Sequence, residues 1–112
     1  MKILLAEDDF VTRKFMASFL SKYGECDVTV DGMEAVDAFM LALEEGEPYD
    51  LVCLDIMMPV MDGYTATKKI RSLERSDAKT IPIIAMTANA FQEDAEKCIA
   101  VGMNAHLAKP LN

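Results

Sequence analysis

Five short strand-like runs alternate along the chain with stretches whose apolar residues recur at helical spacing, and this alternation decides the fold class. Lys2 to Ala6 (KILLA) is too short and too continuously apolar for an amphipathic helix and reads as a buried strand. Tyr49 to Leu54 (YDLVCL) and Ile81 to Met86 (IPIIAM) read the same way, with Pro82 tolerable only at a strand's start. Glu25 to Val30 alternates and ends at the Asp31-Gly32 turn signal, and Asn104 to Ala108 is a short fifth run. Between them, Val11, Phe15 and Phe19 mark the apolar stripe of a helix from Asp9 to Tyr23, stopped by Gly24. Met33, Val36, Met40 and Leu43 mark a second, broken by Gly46 and Pro48. A third opens at Asp62-Gly63 and runs to about Glu74 on Ala66, Ile70 and Leu73. Phe91, Ala95, Cys98 and Ile99 mark a fourth, ended by Gly102. Apolar strands interleaved with helices predict an α/β chain: a parallel sheet covered on both faces, with right-handed crossovers.

At 112 residues this is one domain, large enough to bury a core without disulfide or metal support. Lys and Arg total 11 against 19 Asp and Glu, a net charge of −8. Nucleic acid and anionic membrane surfaces are therefore poor direct partners, because phosphate contacts need clustered cations. No apolar run is long enough to span a membrane, and Met1-Lys2 opens straight into a strand rather than a signal peptide. Cys26, Cys53 and Cys98 are odd in number and form no Cys-x-x-Cys pair, which suits a reduced, cytoplasmic setting.

Open parallel sheets place their sites just past the carboxyl ends of the strands. Reading only those positions gives Glu7 and Asp8, Asp55, Thr87 and Lys109. Three carboxylates on one rim repel one another unless a cation compensates, and their oxygen-only chemistry suits a hard divalent ion such as Mg²⁺. An Asp beside Mg²⁺, a hydroxyl and an ammonium can attack a phosphoryl group whose oxygens the others hold.

The segments LLAEDD, LVCLDIMMPVMDG, PIIAMTANA and LAKP, in this order, resemble the receiver domain of two-component response regulators over essentially the whole chain. The resemblance implies a doubly wound, five-stranded parallel sheet of the flavodoxin-like receiver fold. It implies that Asp55 is the phosphoacceptor, and that Glu7, Asp8, Asp55 and the backbone carbonyl of Met57 hold Mg²⁺. Thr87 matches the switch hydroxyl, and Lys109 the lysine that pairs with the aspartate or its phosphate. His106 stands where the family usually has Tyr or Phe as the second switch residue. The implied function is a phosphorelay switch, fed by a histidine kinase or histidine phosphotransfer protein, with output to a protein effector. It is not an enzyme beyond its own phosphorylation and dephosphorylation. The family's fifth helix, after the fifth strand, is absent from residues 1–112, so the chain reads as a receiver truncated after that strand. The sheet face beside the first helix should then carry a bare apolar area, to be covered by a C-terminal segment or by a second copy in a homodimer. The Lys109-Pro110 bond is expected to be cis.

Two other function classes compete. A phosphohydrolase of the haloacid-dehalogenase type also uses an Asp after a parallel strand, but needs another Asp two residues on, where this chain has Met57. A receiver-like module that takes no phosphate would not need Glu7, Asp8, Asp55, Thr87 and Lys109 together. Among blander readings, Asp9 suits a helix N-cap, Met57, Met58 and Met61 suit packing rather than soft-metal binding, and the charges from Arg71 to Arg75 suit a solvated helix face.

Overall fold

A computed structural model describes residues 1–88 and 92–109. Its strands are β1 (Lys2–Ala6), β2 (Glu25–Thr29), β3 (Leu51–Asp55), β4 (Ile83–Thr87) and β5 (Ala105–Ala108). Its helices are α1 (Phe10–Leu20), α2 (Gly32–Glu44), α3 (Gly63–Ser72), α4 (Ser76–Thr80) and α5 (Gln92–Val101). The strands form one parallel sheet in the order β2-β1-β3-β4-β5. That order reverses direction between β1 and β3, the switch point of a doubly wound sheet. Among the described residues no helix follows β5.

The continuous apolar strands have a direct cause: both faces of the sheet are covered, so successive side chains enter different cores. Leu4, Ala6, Val52, Leu54, Ile83 and Ala85 point to one side, where Phe39, Ala66, Ile70 and Cys98 pack on them. Ile3, Leu5, Cys53 and Met86 point to the other, against Met16 and Leu20 of α1. Both Cys53 and Cys98 are buried packing residues, and burial pushes the Cys53 thiol up to about 12.

Three sequence expectations need correction. The Val11, Phe15 and Phe19 stripe of α1 is not the face that meets the sheet: Phe15 is 53% exposed and Phe19 44%. The helix buries Met16 and Leu20, one position further round, because it sits over β1 and β2. Phe15 and Phe19 instead wall an apolar groove floored by Met86 and Leu107, with hollows of about 300 and 360 Å³. The bare apolar area expected beside the first helix is this groove.

The second correction is α4, a single short helix between α3 and β4 that apolar periodicity does not mark. Its segment SDAKT lacks apolar periodicity and buries only Ala78. The third is Arg71, which is no solvated surface charge. Its guanidinium donates to the carbonyls of Gly102 (3.0 Å) and Ala78 (3.0 Å) and to Asn104 Oδ1 (2.9 Å). One side chain thus ties α3 to α4 and to the turn before β5. The Lys109-Pro110 bond and Phe91 lie outside the described residues.

Candidate functional site

Parallel pairing aligns the strand ends on one edge. Ala6 of β1 sits opposite Leu54 of β3, Asp55 opposite Met86 of β4, and Thr87 opposite Ala108 of β5. Glu7, Asp8, Asp55, Thr87 and Lys109 therefore share the carboxyl rim. The backbone locks each in place: Glu7 N donates to Thr29 O (3.1 Å), Ile56 N to Met86 O (3.1 Å) and Lys109 N to Thr87 O (2.8 Å).

Side-chain geometry separates the three carboxylates. Glu7 is 0% exposed and Asp55 1%, whereas Asp8 stands open to solvent. Carboxylate oxygens of all three lie within 4.8 Å of one another. The Lys109 ammonium sits between the buried pair, 3.1 Å from Glu7 Oε1 and 3.1 Å from Asp55 Oδ2. Glu7 Oε2 accepts from Asp9 N (2.9 Å) and, at 3.4 Å, from Lys109. Glu7 Oε1 and Asp55 Oδ2 meet that ammonium without a hydrogen-bond angle, so two buried oxygens keep acceptor capacity unused. Asp55 Oδ1 faces the backbone N–H of Met57 at 3.4 Å.

The charges disturb one another as their distances require. Burial first, then the charge of Glu7, pushes the Asp55 carboxyl up to about 7 against the opposing pull of Lys109. On Lys109 burial works downward, but the attraction of the adjacent Asp55 and Glu7 carboxylates outweighs it and holds the ammonium above its ordinary value. One lysine thus shares two carboxylates, with a third alongside. Clustered oxygen donors with unused lone pairs and one solvent-open carboxylate fit a hard divalent cation that keeps some of its water.

The loop after β3 is placed by contact rather than by charge. Gly63 packs its α-carbon on the carbonyl of Asp55, where a Cβ would collide, and its N–H donates to Ile56 O (2.9 Å). Asp62 caps α3 by accepting from Thr65 N (2.8 Å), and Asp9 caps α1 by accepting from Thr12 N (2.9 Å). Thr87 is buried at the end of β4. His106 is half-buried on β5 opposite Ala85, so the register puts it on the same sheet face as Thr87. Asn89 lies outside the described residues.

Sequence reasoning missed Arg13, whose guanidinium donates to the carbonyls of Glu7 (3.0 Å) and Asp8 (3.2 Å) and stacks 5.5 Å from the Phe10 ring. An arginine one turn into the helix that follows two acidic site residues was the available signal.

Residues 3–112 match the response regulator receiver domain family. The chain is 38% identical over 121 residues to "Probable histidine kinase 2" of Oryza sativa subsp. indica, covering 99% of the chain but only 12% of that kinase. It superimposes with a TM-score of 0.82 and 39% identity on the receiver domain of the sensor histidine kinase PA1611 from Pseudomonas aeruginosa PAO1. That structure has a magnesium ion coordinated in its active-site cleft, and the match covers 99% of this chain and 86% of that one. A further match, with a TM-score of 0.82 and 30% identity, covers all of this chain and 80% of the other. It is to the Saccharomyces cerevisiae co-crystal structure of the histidine phosphotransfer protein Ypd1 with the receiver domain of its downstream response regulator Ssk1. The sheet order, the acidic cleft and these likenesses agree: the chain belongs to the response regulator receiver domain family.

Proposed function

We propose that the protein is a phosphorelay switch whose Asp55 takes a phosphoryl group from a phosphohistidine, with Mg²⁺ bound by Glu7, Asp8, Asp55 and the carbonyl of Met57. The observation that carries this reading is the buried Asp55 carboxylate, close to two further carboxylates and 3.1 Å from the Lys109 ammonium. One Asp55 oxygen attacks phosphorus and the P–N bond breaks, its electron pair leaving with an imidazole already protonated on its other ring nitrogen, so that a neutral imidazole and an acyl phosphate result. When bound, Mg²⁺ supplies charge neutralisation for the transferring oxygens. Lys109 is placed to pair with the phosphoryl group once Asp55 has used its charge, and Thr87 offers a hydroxyl from the adjoining strand. Thr87 and His106 form the switch pair on one sheet face.

The donor is a histidine kinase or a histidine phosphotransfer protein, the output partner is a protein effector, and the setting is cytoplasmic. Beyond its own phosphorylation and dephosphorylation the domain has no enzymatic role. Among the described residues no helix is long and apolar enough to cross a membrane. We read residues 1–112 as a receiver cut after its fifth strand, with a further helix covering the groove beside α1. The greater length of the matched receivers supports this, as does the position of Leu107, Ala108 and Lys109 on the groove's rim.

The test is phosphotransfer from a phosphorylated histidine phosphotransfer protein. Label should reach Asp55 only when Mg²⁺ is present, and label mapped to another residue would overturn the reading. Calorimetric titration with MgCl₂ should show Asp8→Ala losing at least about tenfold in affinity, and more than Glu7→Ala. Asp8 faces solvent, whereas Glu7 is already engaged by Lys109 and Asp9. The lifetime of the acyl phosphate is a separate expectation. Met57 is 78% exposed beside Asp55 and offers no side-chain hydrogen bond to an attacking water. Met57→Asn should speed loss of the phosphoryl group about tenfold, a change of about 1.4 kcal/mol in barrier. An unchanged decay rate would show that this position does not hold the water.

A further inference from the structure

Arg13 stands at the wrong end of its helix for a cation. It is the fourth residue of α1, close to the positive pole of the helix dipole, and its side chain is half-buried. What compensates for that placement lies just upstream. Side chains on a helix lean toward its N-terminus, so the guanidinium reaches back past Asp9. One nitrogen, Nη1, donates to both Glu7 O (3.0 Å) and Asp8 O (3.2 Å), and the guanidinium carbon lies 5.5 Å from the centre of the Phe10 ring.

Those two carbonyls belong to the two peptide units on either side of the Asp8 α-carbon. Peptide units are planar, so holding both fixes the φ and ψ of Asp8, and with them the direction of its Cα–Cβ bond. The second unit is also held at its other end, where Asp9 N donates to Glu7 Oε2 at 2.9 Å. Rotating that unit to free the Asp8 carbonyl would carry the Asp9 N–H away from Glu7. One guanidinium therefore sets the path on which Asp8 turns out to solvent while Glu7 stays buried against Lys109.

We infer that Arg13 is a positioning residue: by gripping the two peptide units around Asp8 it presets the Asp8 carboxylate, and through the Asp9 N–H the Glu7 carboxylate, in the arrangement that receives the metal. The inference rests on the Mg²⁺ reading above, in which Glu7 and Asp8 are ligands. The charge of Arg13 works against this role, because a cation near the site repels the incoming ion. Geometry and charge thus predict opposite signs for the loss of Arg13, and the sign of the change separates them.

The experiment compares wild type with Arg13→Lys and Arg13→Met. Lysine keeps the charge, but its ammonium stops one bond short of the Nη1 position and lacks the planar fork. Methionine keeps an unbranched stem and removes both charge and donor. By calorimetry with MgCl₂ at physiological salt, affinity should fall about tenfold for Arg13→Lys, the scale of losing a group that orients a ligand. It should fall about threefold for Arg13→Met, where relief of the screened repulsion offsets part of the loss. In EDTA, hydrogen exchange at the Asp9 N–H should quicken about tenfold in both variants. Were charge the whole effect, Arg13→Lys would bind as wild type does and Arg13→Met more tightly, and either result would overturn the positioning role. Lowered thermal midpoints with unchanged affinity would do the same, leaving Arg13 a support for the helix alone. Weakened binding with unchanged Asp9 exchange would overturn the route through the turn. A wild-type protein that takes no Mg²⁺ would instead sink the metal reading and this inference with it, a result told apart from the others by the wild-type titration alone.

Discussion

Substituting Asp55 by asparagine is expected to lower phosphorylation by acetyl phosphate and Mg²⁺ by at least about a hundredfold, to background, because an amide is no nucleophile at phosphorus. The substitution is nearly isosteric, so the buried position at the end of β3 is kept and unfolding cannot account for the loss. Intact-mass measurement reads the outcome: a single phosphoryl adduct on the wild type and none on Asp55→Asn. EDTA should remove the adduct from the wild type as well. An adduct of undiminished yield on the variant would move the acceptor elsewhere. Asp8 and Glu7 are the nearest alternatives, and the geometry sets both back, since Glu7 is buried against Lys109 and Asp9 while Asp8 points to solvent.

The gathering of these side chains on one rim was legible because a parallel sheet collects strand ends, whatever the intervening helices do. Glu7, Asp8, Asp55, Thr87 and Lys109 are far apart in sequence and adjacent in register. The division of labour among them was not legible. Sequence position makes Glu7 and Asp8 neighbours of equal standing; alternation along the strand's exit turns one inward to Lys109 and the other outward. Nor does periodicity show which stripe of α1 is buried, since Val11-Phe15-Phe19 and Met16-Leu20 both recur every four residues. The choice depends on which strands lie beneath the helix and on what flanks it, and the flank is an open groove. Helix α4 escaped because its order comes from tertiary contact, with Arg71 bonding the carbonyl of Ala78, and not from the pattern of SDAKT.

Removing the ammonium between the two buried carboxylates should have the largest effect on stability. Lys109→Ala leaves Glu7 and Asp55 buried with no cation between them, and breaking such a pair costs roughly 3 kcal/mol or more. The lower end applies here because Lys109 keeps some contact with water, its side chain being 14% exposed. For a domain of this size the thermal midpoint in EDTA at pH 8 should fall by roughly 10 °C. The pH dependence follows from Asp55. Its carboxyl is pushed up from 3.8 to about 7 in the fold, so the folded state holds a proton that the unfolded chain has released. Stability is therefore greatest below about pH 4 as far as this group is concerned, declines as pH rises toward 7, and levels off above it. Lys109 is what holds the carboxyl down to that value, so its loss moves the group further up and extends the decline above pH 7. The deficit of Lys109→Ala should accordingly be smaller at pH 5.5, where Asp55 is protonated in both proteins, and grow toward pH 8.5. Millimolar Mg²⁺ should recover part of it at pH 8, since a divalent cation beside Asp8 and Asp55 replaces the missing charge. Melting curves across that pH range, with EDTA and with MgCl₂, give the answer directly. A deficit that is flat with pH would mean that Lys109 supports the fold through packing of its methylene stem, and that its charge does not set the state of Asp55.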